Sequence, residues 1–325
     1  MNTTHSPSLH SALGADAPTA GKRALVLGGG GSTGNAWLIG VIAGLQDAGV
    51  NAAAADLIVG TSAGSTAAAQ ITGADPADLL AAILDAGAPP PRQAAGGPVS
   101  GAQAAAPVLT QMERTAAVIA AAADAADMRR RMGASALEAV PASSASTQAR
   151  WRATVASRLP SLEWPERRLL ITAVDARTGD PVVFDRHSGV DLVDAVAASC
   201  SSGAPYNIGD GRYIDGGYRT NADNADLAAG YAHVLVLSPF SGRSRTPVEW
   251  GLHLATQVDA LRAGGSTVEA VFPDSGSAHL FGPNAMDLSL RLPAARAGFN
   301  QGRALAGRLA RPFTSGQADP TQAPG

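Results

Sequence analysis

The stretch Asp56-Leu57-Ile58-Val59-Gly60-Thr61-Ser62-Ala63-Gly64 constrains this chain more than any other. A short apolar run meets Gly-x-Ser-x-Gly, and an alanine-rich, helix-favouring segment follows. That is the sequence form of a nucleophile elbow: a strand ends, the backbone bends sharply, a helix begins, and the serine hydroxyl stands at the apex. Gly60 and Gly64 let strand and helix approach without a clash of Cβ atoms. The helix N-terminus beneath Ser62 offers unpaired N–H groups and the positive end of a dipole to developing negative charge. A chain with 37 Gly also contains plain strand-to-helix turns capped by serine, so the surrounding segments have to decide.

Upstream, Arg23-Ala24-Leu25-Val26-Leu27 reads as a buried strand and runs into Gly28 to Gly31, then Ser32-Thr33-Gly34. Trp37, Val41, Ile42 and Leu45 fall at helical spacing, and Gly49 stops that helix. The first 70 residues thus alternate strand, glycine loop, helix, strand, elbow, helix. That order predicts an α/β fold, a three-layer α/β/α sandwich with a mainly parallel central sheet. Further helices are expected over Pro76 to Leu84, Gln103 to Val140, Asp191 to Ser199, Ala222 to Ala229, Val248 to Ala263 and Leu292 to Leu309. Strands are expected at Arg168 to Val174, Pro181 to Phe184, Tyr213-Ile214 and His233 to Leu237. Residues 1–20 and 314–325 read as disordered tails around one domain of residues 21–313. Residues 87–150 form an inserted helical region placed to act as a lid, with Pro141 to Gln148 as a Ser/Ala linker.

Composition excludes several functions. A net charge of −3 gives no basic field for nucleic acid and no polybasic anchor for anionic lipid. Cys200 is the single cysteine, so neither an internal disulfide nor a Cys-rich metal site is open to the chain. Asp223 and Asp226 read as capping and surface residues, and neither a metal nor another cofactor is expected. The N-terminus lacks the basic start and apolar core of a signal peptide. No run approaches the ~18 apolar residues of a membrane span. A soluble, cytoplasmic protein is expected, with peripheral membrane contact left open. Oligomeric state has no sequence signal.

Three glycine-rich sites each follow an apolar, strand-like run: Gly29-Gly30-Gly31-Ser32-Thr33-Gly34, Gly60-x-Ser62-x-Gly64 and Asp215-Gly216-Gly217. The carboxyl ends of strands in a parallel sheet share one edge, so these loops are expected to converge. Together they suit acyl transfer. Ser62 attacks an ester carbonyl, and backbone N–H groups of Gly30 and Gly31, with Gly29 beside them, receive the oxyanion. A serine hydroxyl needs a base, and Asp215 is the best-placed carboxylate.

On these residues the chain resembles the patatin-like phospholipases, or patatin-like acyl hydrolases. The family pattern is a glycine-rich oxyanion loop, a Gly-x-Ser-x-Gly elbow and a distant Asp-Gly-Gly. Ala197-Ala198-Ser199-Cys200 through Pro205 resembles the block that precedes its aspartate. The resemblance spans Leu25 to Asn221. It implies a Ser–Asp dyad without histidine, with Ser62 as nucleophile, Asp215 as base and Gly29, Gly30 and Gly31 as the oxyanion loop. It also implies a lipid or acyl-ester substrate and no dependence on calcium. One departure stands out: the family usually carries Arg or Lys two residues after the triple glycine, where this chain has Thr33. That bears on phospholipid preference more than on hydrolysis, and it is compatible with a weak enzyme or a lipid-binding protein of the same fold.

Two rivals compete. Gly29-x-Gly31-x-x-Gly34 fits a dinucleotide loop, but that fingerprint wants an acidic residue ending the next strand, and Asp56 precedes it. The order Ser62, Asp215, His279 matches a Ser-His-Asp hydrolase. That fold places several strands before its elbow, whereas only one strand and one helix precede Ser62.

Overall fold

The computed structural model describes residues 18–86, 112–138 and 145–313, with side chains to residue 309. Its 8-stranded sheet comprises β1 (Thr19–Leu27), β2 (Leu57–Gly60), β3 (Arg168–Asp175), β4 (Pro181–Phe184), β5 (Tyr206–Ile208), β6 (Gly211–Asp215), β7 (Tyr231–Leu237) and β8 (Thr267–Val271). The order is β5-β6-β3-β2-β1-β7-β8, with β4 paired to β3 off this path. Pairings among β3, β2, β1, β7 and β8 are parallel; those involving β4, β5 and β6 are antiparallel. The helices are α1 (Gly31–Asp47), α2 (Ala63–Gly73), α3 (Pro76–Asp85), α4 (Ala125–Glu138), α5 (Ala145–Ala156), α6 (Leu192–Ser199), α7 (Leu254–Ala263) and α8 (Arg291–Phe313). Residues 112–121 are also helical.

Ala24–Leu27 of β1, Leu57–Val59 of β2 and Val234–Leu237 of β7 are continuous buried apolar runs because both sheet faces are covered there. Leu25 and Leu27 point into one core with Ile58, Ile171, Leu235 and the helices α1, α2, α3, α6 and α8. Their neighbours Ala24 and Val26 point the opposite way, onto Val59, Val236 and Leu254, Val258 and Leu261 of α7. Met128 and Met132 of α4 cover Val174 and Ile214 near the elbow end. This is the expected three-layer α/β/α architecture. Helix α1 is buried along nearly its whole length, including Trp37.

Register explains how distant motifs meet. Ile171 of β3 pairs with Gly60 on one side and Phe184 on the other. Two residues later, Ala173 pairs with Asp215 and Val182. Strand β4 keeps its edge throughout, so β6 takes over the edge that β2 leaves at the elbow. Gly60 and Asp215 therefore stand two residues apart along β3, about 7 Å.

Several expectations need correction. Strand structure begins at Thr19, inside the expected tail, because the Thr19 amide donates to the Gly230 carbonyl at 3.0 Å and pairing with β7 begins there. Residues 145–148, expected as linker, are the first turn of α5. The remainder of that linker and residues 87–111 of the insertion lie outside the described residues. Strands β5 and β8 were not anticipated. The expected Ala222–Ala229 helix is a 3-10 turn, Ala225–Ala228, preceded by Asn224 at φ 56. The expected Val248–Ala263 helix splits at Gly251, whose φ of 68 ends a 3-10 turn before α7 begins.

Candidate active site

Ser62 sits at φ 51, ψ −119, a conformation non-glycine residues rarely hold. Strain of this kind costs on the order of 1–3 kcal/mol and persists only where neighbours enforce it. Here they do. The Ser62 amide donates to Ser199 Oγ at 2.9 Å, and its carbonyl accepts from Ser65 Oγ at 2.6 Å and Cys200 Sγ at 3.1 Å. Gly64 packs directly on the Leu27 carbonyl at the end of β1, where any Cβ would collide with backbone. The Ala-Ser-Cys block thus has a physical role that sequence spacing did not disclose: it grips the elbow's backbone. Cys200 is no rival nucleophile, since burial, reinforced by the Asp215 charge, pushes its thiol up to about 11.

The structure brings the Asp-Gly-Gly loop to this apex. The Ser62 side chain lies near the Asp215 carboxylate and lowers its pKa, and the Gly217 amide donates to Asp215 Oδ1 at 2.8 Å. Asp215 is only 8% exposed, and burial pushes its carboxyl up to about 6 against the Gly217 hydrogen bond and the influence of the Ser62 side chain. Gly216 lies against Thr172 of β3. Asn224 was missed by sequence reading. Fully buried, its Nδ2 donates to Thr61 Oγ1 at 2.9 Å and to the Gly216 carbonyl at 3.0 Å. One side chain therefore bridges the residue before Ser62 and the residue after Asp215.

The glycine loop reaches the same point. A Cβ on Gly29 would lie 3.5 Å from Ser62 Cβ. The Gly29 amide is occupied, donating to the Ala222 carbonyl at 2.8 Å. The amides of Gly30 and Gly31 have no hydrogen-bond partner among the described residues. Gly31 opens α1 at φ 62, with Ala285 where a Cβ would project, so only glycine fits. The Gly34 amide closes the turn onto the Gly30 carbonyl at 2.9 Å. Thr33 is fully buried; its amide donates to the Ala285 carbonyl at 3.0 Å and its hydroxyl lacks a partner among the described residues.

The structure revises the reading of Asp223 and leaves Asp226 a partly exposed residue of a first helical turn. Asp226 forms an ion pair with Arg219 at 2.8 Å. Asp223 is a buried carboxyl under Gly28, not a helix cap. Its Oδ1 has no partner among the described residues, and burial pushes its pKa up to about 7, the neighbouring Ser238 side chain acting the other way. Its proton, like that of Asp215, is held more tightly in the folded chain than in the unfolded one. The unfolded chain releases both protons near pH 4, so stability falls as pH rises from there to about 6 and about 7 respectively. Asp223→Asn is therefore expected to gain on the natural protein by about 2–3 kcal/mol between pH 5 and pH 8, measured by urea denaturation at both values.

No histidine hydrogen-bonds Ser62 or Asp215 among the described residues, and His279 is exposed in a 3-10 turn. Asp56 accepts the Arg23 amide at 2.8 Å at the far end of β2, away from the glycine loop. No helix among the described residues is long and apolar enough to cross a membrane, and none of them forms a His/Cys/Asp/Glu group suited to a metal ion.

No curated protein matches the chain. Among solved structures it is similar to the type III effector protein ExoU, at 16% identity and a TM-score of 0.31, covering 88% of this chain and 54% of that one. The description Patatin-like phospholipase matches residues 25–228, a span that contains the glycine loop, the elbow and Asp-Gly-Gly and amounts to more than half of the chain, so the chain belongs to the patatin-like phospholipase family.

Proposed function

We propose that this protein hydrolyses carboxylic esters of lipids or related acyl donors through a Ser62–Asp215 dyad. The observation that carries the reading is the strained, backbone-gripped Ser62 standing near the buried Asp215, whose pKa its side chain lowers. Ser62 Oγ attacks the ester carbonyl carbon while Asp215 takes its proton. The oxyanion lies within reach of the Gly30 and Gly31 amides; Gly29 serves by placing the loop, since its own amide is occupied. Collapse breaks the ester C–O bond, and Asp215 returns the proton to the departing alkoxide, leaving Ser62 acylated. Water then attacks the acyl carbon, Asp215 takes its proton, and Ser62 leaves with that proton as the acid is released. Met286 and Leu288, 58% and 45% exposed, give the rim beside the glycine loop an apolar surface that supports a lipid-like substrate.

A fluorophosphonate probe tests this directly. Labelling at Ser62 is expected in the natural protein, with none in Ser62→Ala. Failure of a folded protein to label would favour a lipid-binding protein that has lost turnover.

A further inference from the structure

We propose that the cavity bounded by α1, α2, α3 and the start of α8 binds the phosphate group of the substrate, held between Arg158 and Arg291. Its assignment to the substrate rests on the hydrolase reading above; the binding itself does not.

The cavity has a volume of about 430 Å³. Arg158, Arg291 and Gln70 form its polar end, and Ile39, Leu79 and Ile83 contribute to its apolar wall. No Asp or Glu among the described residues lines it. Neither guanidinium has a carboxylate within ion-pair distance among the described residues. Arg158 instead stacks over Trp151, its Cζ 5.5 Å from the ring centroid. Arg291 is half-buried. Its Nη1 donates to the Ser32 carbonyl at 2.9 Å and to Asn35 Oδ1 at 3.3 Å, neutral acceptors that leave its charge uncompensated. Burial and then the neighbouring Arg158 charge push Arg291 below the usual arginine range. The half-buried Arg291 cation, with the exposed Arg158 lining the same cavity and no anion to balance either, carries an electrostatic cost that a bound anion would relieve. A tetrahedral phosphate offers enough oxygens to engage both planar forks, and the apolar wall suits the alkyl part of the same molecule.

The cavity is also lined from the helices that follow the glycine loop and the elbow, by Ile39 of α1 and Gln70 of α2. Ser32, which Arg291 holds, directly follows Gly31. The Arg158 charge acts on the Cys200 thiol, whose sulfur donates to the Ser62 carbonyl.

Because Arg291 also braces the first turn of α1, the test centres on Arg158, which has no such bond. In Ser62→Ala protein, inorganic phosphate is expected to raise Tm saturably beyond chloride of equal ionic strength. The rise is expected to vanish in the Ser62→Ala, Arg158→Glu double variant. With active enzyme, two esters sharing an acyl chain are compared, one with a phosphate-bearing alcohol and one with a neutral alcohol. Arg158→Gln is expected to lower kcat/KM for the first about 10–100-fold more than for the second. Absence of a specific phosphate shift, together with equal losses on both esters, overturns the proposal while leaving the hydrolase reading intact. A phosphate shift that needs Arg158, in a protein that hydrolyses neither ester, supports the anion site and sinks the hydrolase reading. A phosphate shift with no change in ester preference identifies free phosphate as the ligand and overturns its assignment to the substrate.

Discussion

Replacing Ser62 by alanine is expected to lower kcat on a short-chain p-nitrophenyl ester by about 10⁴ or more, and Asp215→Asn by a comparable factor. The two losses are expected to be non-additive, because in the proposed dyad proton acceptor and nucleophile act as one unit. The pH profile carries the more specific expectation. Asp215 must be ionised to accept the Ser62 proton, and burial holds its carboxyl at about 6. Then kcat/KM falls about tenfold per pH unit below that value and levels off above it. An Asp215→Asn enzyme with substantial activity would overturn the assignment of the base. A dead but folded His279→Ala variant would return the case to a histidine triad.

Asn224→Ala is expected to produce the largest loss among residues that do not touch substrate. Its amide satisfies Thr61 Oγ1 and the Gly216 carbonyl in a dry interior, with Thr172 Oγ1 3.4 Å away. Removing it strands polar groups at about 1–3 kcal/mol each, so a destabilisation of about 3–5 kcal/mol is expected by urea denaturation. Alanine also tolerates φ 56 poorly, which adds to the loss. Asn224→Asp keeps the shape but removes the donors, and separates geometry from mere folding. If it folds, kcat is expected to fall about 10–100-fold with little change in KM, because the Ser62–Asp215 alignment slackens while the substrate surface stays as it was. A variant whose kcat is untouched would show that the bridge holds the fold and not the dyad.

Much of this was legible in the sequence because its causes are local. Gly-x-Ser-x-Gly after an apolar run, with a glycine loop one helix upstream, signals an elbow from neighbouring residues, and the continuous apolar runs of β1, β2 and β7 report a sheet covered on both faces. The missed elements depend on partners far along the chain. Strand β5 has three residues and exists only as the return arm beside β6. Strand β8 is an edge strand, recognisable only once β7 lies beside it. Ala222 to Ala229 has helical composition, yet Asn224 adopts a left-handed conformation because Thr61 and Gly216 draw its side chain inward. Asp223 looks like an ordinary cap by composition, and only the packing of Gly28 above it shows a buried acid. Arg291 gives no hint of its place beside the glycine loop, since α8 arrives there from the other end of the chain.

The exchange of neighbours along β3 has a bearing on how such a chain tolerates change. Ser62 and Asp215 are indexed to one another by Ile171, Thr172 and Ala173, much as two marks on a single ruler. The length of polypeptide connecting the two marks does not enter that measurement. Segments joining α3 to β3 are thus free to lengthen, shorten or be exchanged between relatives, and substrate choice has room to diverge there, so long as β3 keeps its seat. A single-residue slip of β3, by contrast, would turn Thr172 to the other face and misplace both marks at once.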